Sequence, residues 1–125
     1  MSRVETPPLP NAATISEAAF QGLVEERLAL EAGRLWWWHD TDARRNRAGF
    51  PDLVIVGAFG RGAIWRELKT QTGRVRPEQH DVLTRLTAAG CDAAVWRPSD
   101  WPLICDTIAR LARPASRVPR PLGAP

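Results

Sequence analysis

The sequence has few cysteines and no long apolar run, and each shortage excludes a class of protein. Cys91 and Cys105, the two cysteines, match neither a disulfide framework nor the spacing of zinc ligands. No run of about 18 apolar residues and no basic-then-apolar leader is present, which argues against membrane spanning and export. We therefore expect a cytoplasmic protein with reduced thiols and no membrane partner.

The length and charge suit one folded domain with a polyanionic partner. A chain of 125 residues can bury a hydrophobic core. The proline-rich ends, residues 1–13 and 114–125, predict flexible tails around a folded unit at residues 14–113. The 17 basic and 14 acidic side chains give a formal net charge of +3, which favours a partner such as a nucleic acid.

Lysine is the scarcest basic residue, because Lys69 is the only lysine among the 17 basic residues. Lysine carries a compact ammonium whose pKa can be tuned, whereas arginine is a planar fork that stays protonated. A lone lysine therefore indicates a site that requires a point charge. Lys69 stands in Glu67-Leu68-Lys69, and Glu67 follows Asp52 by fifteen positions.

Hydrophobic periodicity predicts the order helix, three strands, helix, strand, helix. The helices are predicted at residues 16–32, 77–89 and 101–111, and the strands at residues 35–38, 53–56, 63–69 and 93–96. The glycine-rich turn at residues 59–62 predicts that the second and third strands pair as a hairpin. Together these elements predict an α/β fold with a mixed four-stranded sheet flanked by helices.

The hairpin is expected to bring two carboxylates together. Asp52 precedes Gly60 by eight residues and Glu67 follows it by seven, so the two can meet across the hairpin. Glu67 and Lys69 are two apart on one strand and share a face. Close carboxylates repel unless a cation lies between them, and hard oxygen ligands suit Mg2+ or Mn2+. The alternative is structural, with Asp52 in a turn and Glu67 and Lys69 as an exposed pair on an edge strand.

Two further polar residues lie on predicted apolar faces. Glu17 shares the buried stripe of the first helix, although Thr14-Ile15-Ser16-Glu17 also fits a capping box that would explain it by helix initiation alone. Gln79 lies on the inner face of the second helix and can reach the region of Lys69. Its alternative role is a hydrogen bond to backbone at the edge of the core.

These residues resemble a known family. The segments Gly49-Phe50-Pro51-Asp52, Glu67-Leu68-Lys69-Thr70 and Pro77-Glu78-Gln79 are similar to those of the virus-type replication-repair nuclease (VRR-NUC) domain, of the PD-(D/E)xK nuclease superfamily. The resemblance implies a restriction-endonuclease-like core. It also implies metal ligation by Asp52, Glu67, the main-chain oxygen of Leu68 and Glu17, catalysis with Lys69, and support from Gln79. Arg76 departs from the family, which often has serine or threonine there.

The residues and the resemblance together predict a metal-dependent DNA endonuclease acting on branched DNA such as four-way junctions. One site hydrolyses one strand, so paired incisions predict a homodimer. The resemblance also implies a homodimer, since family members that stand alone form dimers, whereas members embedded in longer chains act on flaps. The alternative is a DNA-binding module with a vestigial site. A restriction-type enzyme would need base-reading elements for which the chain has little room.

Basic and aromatic residues supply the expected DNA contacts. Phosphate binding is assigned to arginines before Asp52 and after Lys69, namely Arg44, Arg45, Arg47, Arg74 and Arg76. Trp36, Trp37 and Trp38 could stack on bases, although alternation places at least one in the core. His39 and His80 lack zinc-ligand spacing, so His39 is considered for nucleic acid contact and His80 for the surface.

Overall fold

A computed structural model describes residues 5–40 and 48–115 and confirms the predicted order of elements. The elements are α1 (Glu17–Ala29), β1 (Trp36–His39), β2 (Leu53–Val56), β3 (Ala63–Leu68), α2 (Pro77–Ala88), β4 (Asp92–Trp96) and α3 (Trp101–Leu111). A short 3-10 helix, Pro98–Asp100, precedes α3. The predicted tails lie partly outside the described residues.

One mixed sheet, in the order β1-β2-β3-β4, organises the chain. The pairs β1–β2 and β2–β3 are antiparallel, and β3–β4 is parallel, with α2 as the crossover. The predicted hairpin is therefore confirmed, with Leu53 opposite Arg66 and Val56 opposite Ala63. Gly60 and Gly62 have φ values of 83° and 75° in its turn, a backbone region that favours glycine.

The hydrophobic core lies between one face of the sheet and the pair α1 and α3. The strands contribute alternate residues, as expected for one buried face. Both helices contribute residues at helical spacing. The fully buried members of this cluster are Phe20, Val24 and Leu28 of α1, Leu53, Ile55 and Leu68 of the strands, and Ile104 and Ile108 of α3.

Two element boundaries differ from the sequence prediction. Helix α1 ends at Ala29 rather than 32, because residues 30–33 form a tight turn that closes at Gly33, with φ of 83°. Strand β1 is shifted by one residue and includes His39. The predicted capping box is wrong, because Ser16 caps α1 by accepting a hydrogen bond from the Ala19 amide at 3.1 Å. Within the described residues no helix is long and apolar enough to span a membrane.

Candidate active site

The hairpin places Asp52 and Glu67 at the same end of the sheet. The register of Leu53 with Arg66, extended by one residue, sets Asp52 opposite Glu67, as counting from the turn predicts. The Leu68 amide donates a hydrogen bond of 3.1 Å to Oδ1 of Asp52. This bond holds one oxygen of the Asp52 carboxylate against β3.

Gly49 anchors the segment that carries Asp52. It has a φ of 84°, and a Cβ atom at this position would collide with the backbone carbonyl of Glu78. The segment is therefore in direct backbone contact with the first turn of α2. This contact brings the loop of Asp52 and the helix of Gln79 into one unit.

Glu67 is buried beside other charged groups. Glu67 is 5% exposed, and its Oε2 accepts a hydrogen bond of 3.2 Å from Nε2 of Gln79. Burial raises the pKa of Glu67 from 4.5 to about 7, the charges of Asp52 and Glu17 add to the rise, and those of Lys69 and Arg76 oppose it. Near neutral pH this carboxyl group can therefore hold or release a proton.

Gln79 makes both hydrogen bonds that the sequence left as alternatives. Its Nε2 reaches Glu67, and its Oε1 accepts from the Arg76 amide at 2.9 Å. The second bond satisfies a free amide at the start of α2, where the Arg76 side chain forms no capping bond. Helix initiation and orientation of Glu67 thus depend on one buried amide.

The Lys69 side chain also lies close to the Glu67 carboxyl group. Its Nζ lies 3.8 Å from Oε2 of Glu67, with 13% of its side chain exposed. The loop that follows is held by Arg97, whose guanidinium donates to the carbonyls of Thr70 at 2.7 Å and Gly73 at 2.8 Å. Sequence reasoning missed Arg97, because no local pattern signals its bonds across 24 to 27 positions.

His39 was also missed as a site residue. Its side chain is 1% exposed, with Nδ1 2.6 Å from Oε1 of Glu25 and Nε2 3.6 Å from Oδ2 of Asp52. Asp52 raises the pKa of His39, burial opposes that rise, and Glu25 adds to it. The ring is therefore buried next to Asp52. This burial argues against the direct contact with nucleic acid that the sequence suggested for His39.

Other sequence-predicted residues lie around this centre. The expectation that Glu17 lies on the buried stripe of α1 is wrong, because Glu17 is exposed in the first turn, although its charge reaches Glu67. Arg74 and Arg76 are exposed on the loop before α2, and the Arg76 guanidinium lies 3.5 Å from Glu78. Arginines at positions 44, 45 and 47 lie outside the described residues, so their role stays a prediction.

The tryptophans of β1 divide between the core and the surface. Trp37 packs against the core cluster, as alternation predicts for one of the three. Trp36 and Trp38 are 58% and 59% exposed on the opposite face of the sheet. That face also carries Glu67, two residues along β3 from Trp65.

The carboxylates fit a hard divalent cation. The described part of the chain holds no group of three or more His, Cys, Asp or Glu side chains arranged for a metal. Mg2+, however, is commonly held by one or two carboxylates, with water and substrate phosphate as its other ligands. Asp52 and Glu67 supply such a pair, and a cation would relieve the repulsion from Asp52 that adds to the effect of burial on the pKa of Glu67.

A cavity of about 950 Å³ lies away from these residues, between α1 and α3. Its lining mixes charges of both signs with apolar groups and includes Arg27, Glu31, Cys105 and Arg113. None of the residues of the carboxylate centre lines this cavity, so the two are separate features of the chain.

Comparison with known proteins agrees with this geometry. A family model for the VRR-NUC domain matches residues 6–100. Neither the curated proteins nor the solved structures that were compared include a match. The matched range contains the hairpin, the crossover helix and every residue of the carboxylate centre.

Proposed function

Because the chain belongs to the VRR-NUC domain family, a family of nucleases, we propose that it is a Mg2+- or Mn2+-dependent DNA endonuclease selective for branched DNA. The observation that carries the proposal is the buried Glu67, bonded to Gln79 and 3.8 Å from the only lysine. Keeping a carboxylate and an ammonium in such a place is costly without a function for them. This argues against a vestigial site in a DNA-binding module.

Each side chain has a chemical role in the proposed reaction. Asp52 and Glu67 would hold the cation. The main-chain oxygen of Leu68 and the carboxylate of Glu17 are proposed as further ligands. When bound, the ion neutralises a phosphodiester oxygen and lowers the pKa of a bound water. Lys69 places its ammonium beside the reacting oxygens, and Gln79 keeps Glu67 in a fixed orientation.

We further propose that the active species is a homodimer on symmetric junctions. The described residues form one carboxylate centre, and a centre of this kind cuts one strand at a time. Paired cuts therefore require two copies, and two-fold symmetry is the commonest arrangement of small oligomers. The exposed Trp36 and Trp38 on the edge strand offer an apolar surface for such pairing.

We propose that arginines before Asp52 and after Lys69 in the sequence bind DNA. Arg74 and Arg76 are exposed on the loop between Lys69 and α2, and Arg44, Arg45 and Arg47 complete the proposed set. Replacing Arg74 and Arg76 by alanine should flatten the slope of log affinity against log salt by up to about 0.9 for each lost duplex contact. An unchanged slope would exclude these two residues from the DNA surface.

The central experiment compares the wild type with Asp52→Asn on labelled duplex, flap and four-way DNA. Mg2+ or Mn2+ should support cutting, with preference for branched substrates, and excess chelator should stop it. Ca2+ should permit binding with little turnover, because its longer and looser coordination positions water poorly. The exposed Asp81→Asn serves as the matched control and should cut like the wild type. Binding without cleavage under all conditions would support the vestigial alternative.

The dimer is tested separately by light scattering combined with junction cleavage. Paired incisions by a species of twice the chain mass are expected at micromolar concentration. A monomer that makes single nicks would contradict the homodimer and leave the nuclease proposal intact.

A further inference from the structure

Glu25, His39 and Asp52 form a chain of side chains that runs from α1 to the carboxylate centre. The ring of His39 lies between the two carboxylates, at 2.6 Å from Oε1 of Glu25 and 3.6 Å from Oδ2 of Asp52. Its side chain is 1% exposed, and within the described residues its Nε2 has no hydrogen-bond partner. Oδ2 of Asp52 faces this nitrogen at ion-pair distance.

The two oxygens of Asp52 are approached from different sides. Oδ1 accepts from the Leu68 amide at 3.1 Å, and Oδ2 faces His39. One hydrogen bond leaves the carboxylate plane poorly defined, because rotation about the last bond of an aspartate has a broad profile. A second contact on the other oxygen restricts that rotation.

We propose that His39, held in place by Glu25, is a positioning residue that orients Asp52 to bind the divalent cation. The inference rests on the proposed function, which assigns Asp52 as a ligand. Nδ1 and Nε2 of His39 each face a carboxylate oxygen, so the short contact with Glu25 fixes the ring that lies against Asp52. Groups that orient a metal ligand in this way commonly change metal affinity by about 10- to 100-fold.

Three replacements of His39 separate orientation from packing. The side-chain amide of glutamine can reach the place of Nε2 and donate to Asp52, whereas that of asparagine reaches only the place of Nδ1 and bonds to Glu25. His39→Gln should therefore keep most of the Mn2+ affinity measured by titration calorimetry. His39→Asn and His39→Ala should lose about 10- to 100-fold. DNA affinity measured without divalent cation should stay unchanged in all three.

Glu25→Ala provides a test that leaves the buried ring in the chain. The Glu25 side chain is 41% exposed, so its removal leaves the core packing intact. We expect weaker Mn2+ binding than in the wild type, while Glu26→Ala, one position along the same helix and exposed, should bind like the wild type. In an Asp52→Asn background, adding His39→Asn should cause no further loss, because His39 acts through Asp52.

The outcomes distinguish this inference from the proposed function. Equal Mn2+ affinity in the wild type, His39→Asn and Glu25→Ala would overturn the positioning role while cleavage by the wild type still supported a nuclease. Equal losses in His39→Gln and His39→Asn, with matching thermal midpoints, would also overturn it. A wild type that binds Mn2+ but cuts no DNA would contradict the nuclease, and His39-dependent affinity would then still support positioning.

Discussion

The two faces of the sheet differ in what they bury. The face toward α1 and α3 is mostly apolar, with Leu53, Ile55 and Leu68 0% exposed, although it also buries His39 and Arg66. The opposite face has Glu67 and Gln79 buried at one end, with Trp36 and Trp38 more than half exposed at the other. Helix α2 packs on β4, whereas Trp36 and Trp38 of β1 remain exposed.

This difference shows where stability and chemistry reside. Apolar burial on the first face contributes about 25 cal/mol per Å² removed from water and needs no partner of special chemistry. The second face instead keeps a carboxyl group in a place that disfavours its charge, as its raised pKa shows. Substitutions on the two faces should therefore change different measurable properties.

The largest expected effect is on the first face. Phe20→Ala removes a ring that is 0% exposed, and such changes typically cost about 3–5 kcal/mol of unfolding free energy. Urea denaturation measures the loss directly. Phe59→Ala, at a ring that is 57% exposed, is the matched control and should change stability by less than about 0.5 kcal/mol. Similar losses in both variants would contradict the division between the faces.

Lys69→Arg tests the chemistry on the second face of the sheet. The guanidinium keeps the positive charge but is larger and planar, so it should fail to replace an ammonium 3.8 Å from Glu67. We expect a loss of about 10²- to 10³-fold in the cleavage rate with little change in stability. Arg85→Lys, whose side chain is 79% exposed, makes the reverse exchange on α2 and should cut normally. Full cleavage by Lys69→Arg would remove the argument for a required lysine.

The raised pKa of Glu67 predicts that the stability of the metal-free protein depends on pH. Its folded pKa of about 7 exceeds the ordinary 4.5, so between these values the folded state holds a proton that the unfolded state has released. Stability should therefore fall as pH rises from about 5 to 7, by up to about 3 kcal/mol, and then level off. Glu67→Gln should lack this fall in denaturation with chelator present. Glu78→Gln, with a side chain 46% exposed, should retain it, and equal slopes would contradict the assignment.

The smallest expected change concerns the exposed tryptophans. Trp36→Ala and Trp38→Ala each remove a ring that contacts water in a single chain, so the stability loss of the monomer should be below about 1 kcal/mol. Trp96→Ala, at a position 2% exposed, should cost about 3–5 kcal/mol in the same assay. A large loss at Trp36 or Trp38 would show that a further contact covers this surface.

Local patterns in the sequence predict the hairpin and its carboxylate pair. Alternation along β3 and the glycine turn define the register, so the approach of Asp52 and Glu67 is predictable. The inward amide of Gln79 follows in the same way from helical spacing. These features depend on residues that are close in sequence or related by a short turn.

Contacts between distant elements escaped the sequence analysis for a physical reason. His39 meets Glu25 across 14 positions, and the contact depends on how α1 packs on the sheet. Strand β1 also extends to His39, one residue beyond its predicted end. The His39 side chain therefore lies on the core face of the sheet and not in the loop that the sequence predicted. Periodicity describes one element at a time and carries no information on how two elements pack.

Gly49 has a consequence for how this site could be lost over evolution. Its backbone lies so close to Glu78 that a Cβ atom would collide there, whether or not the site cuts DNA. A descendant that abandoned catalysis would be free to exchange Asp52, Glu67 or Lys69, but would still need glycine at position 49. Retention of this glycine therefore marks inheritance of the architecture, whereas retention of the charged residues marks selection for cutting.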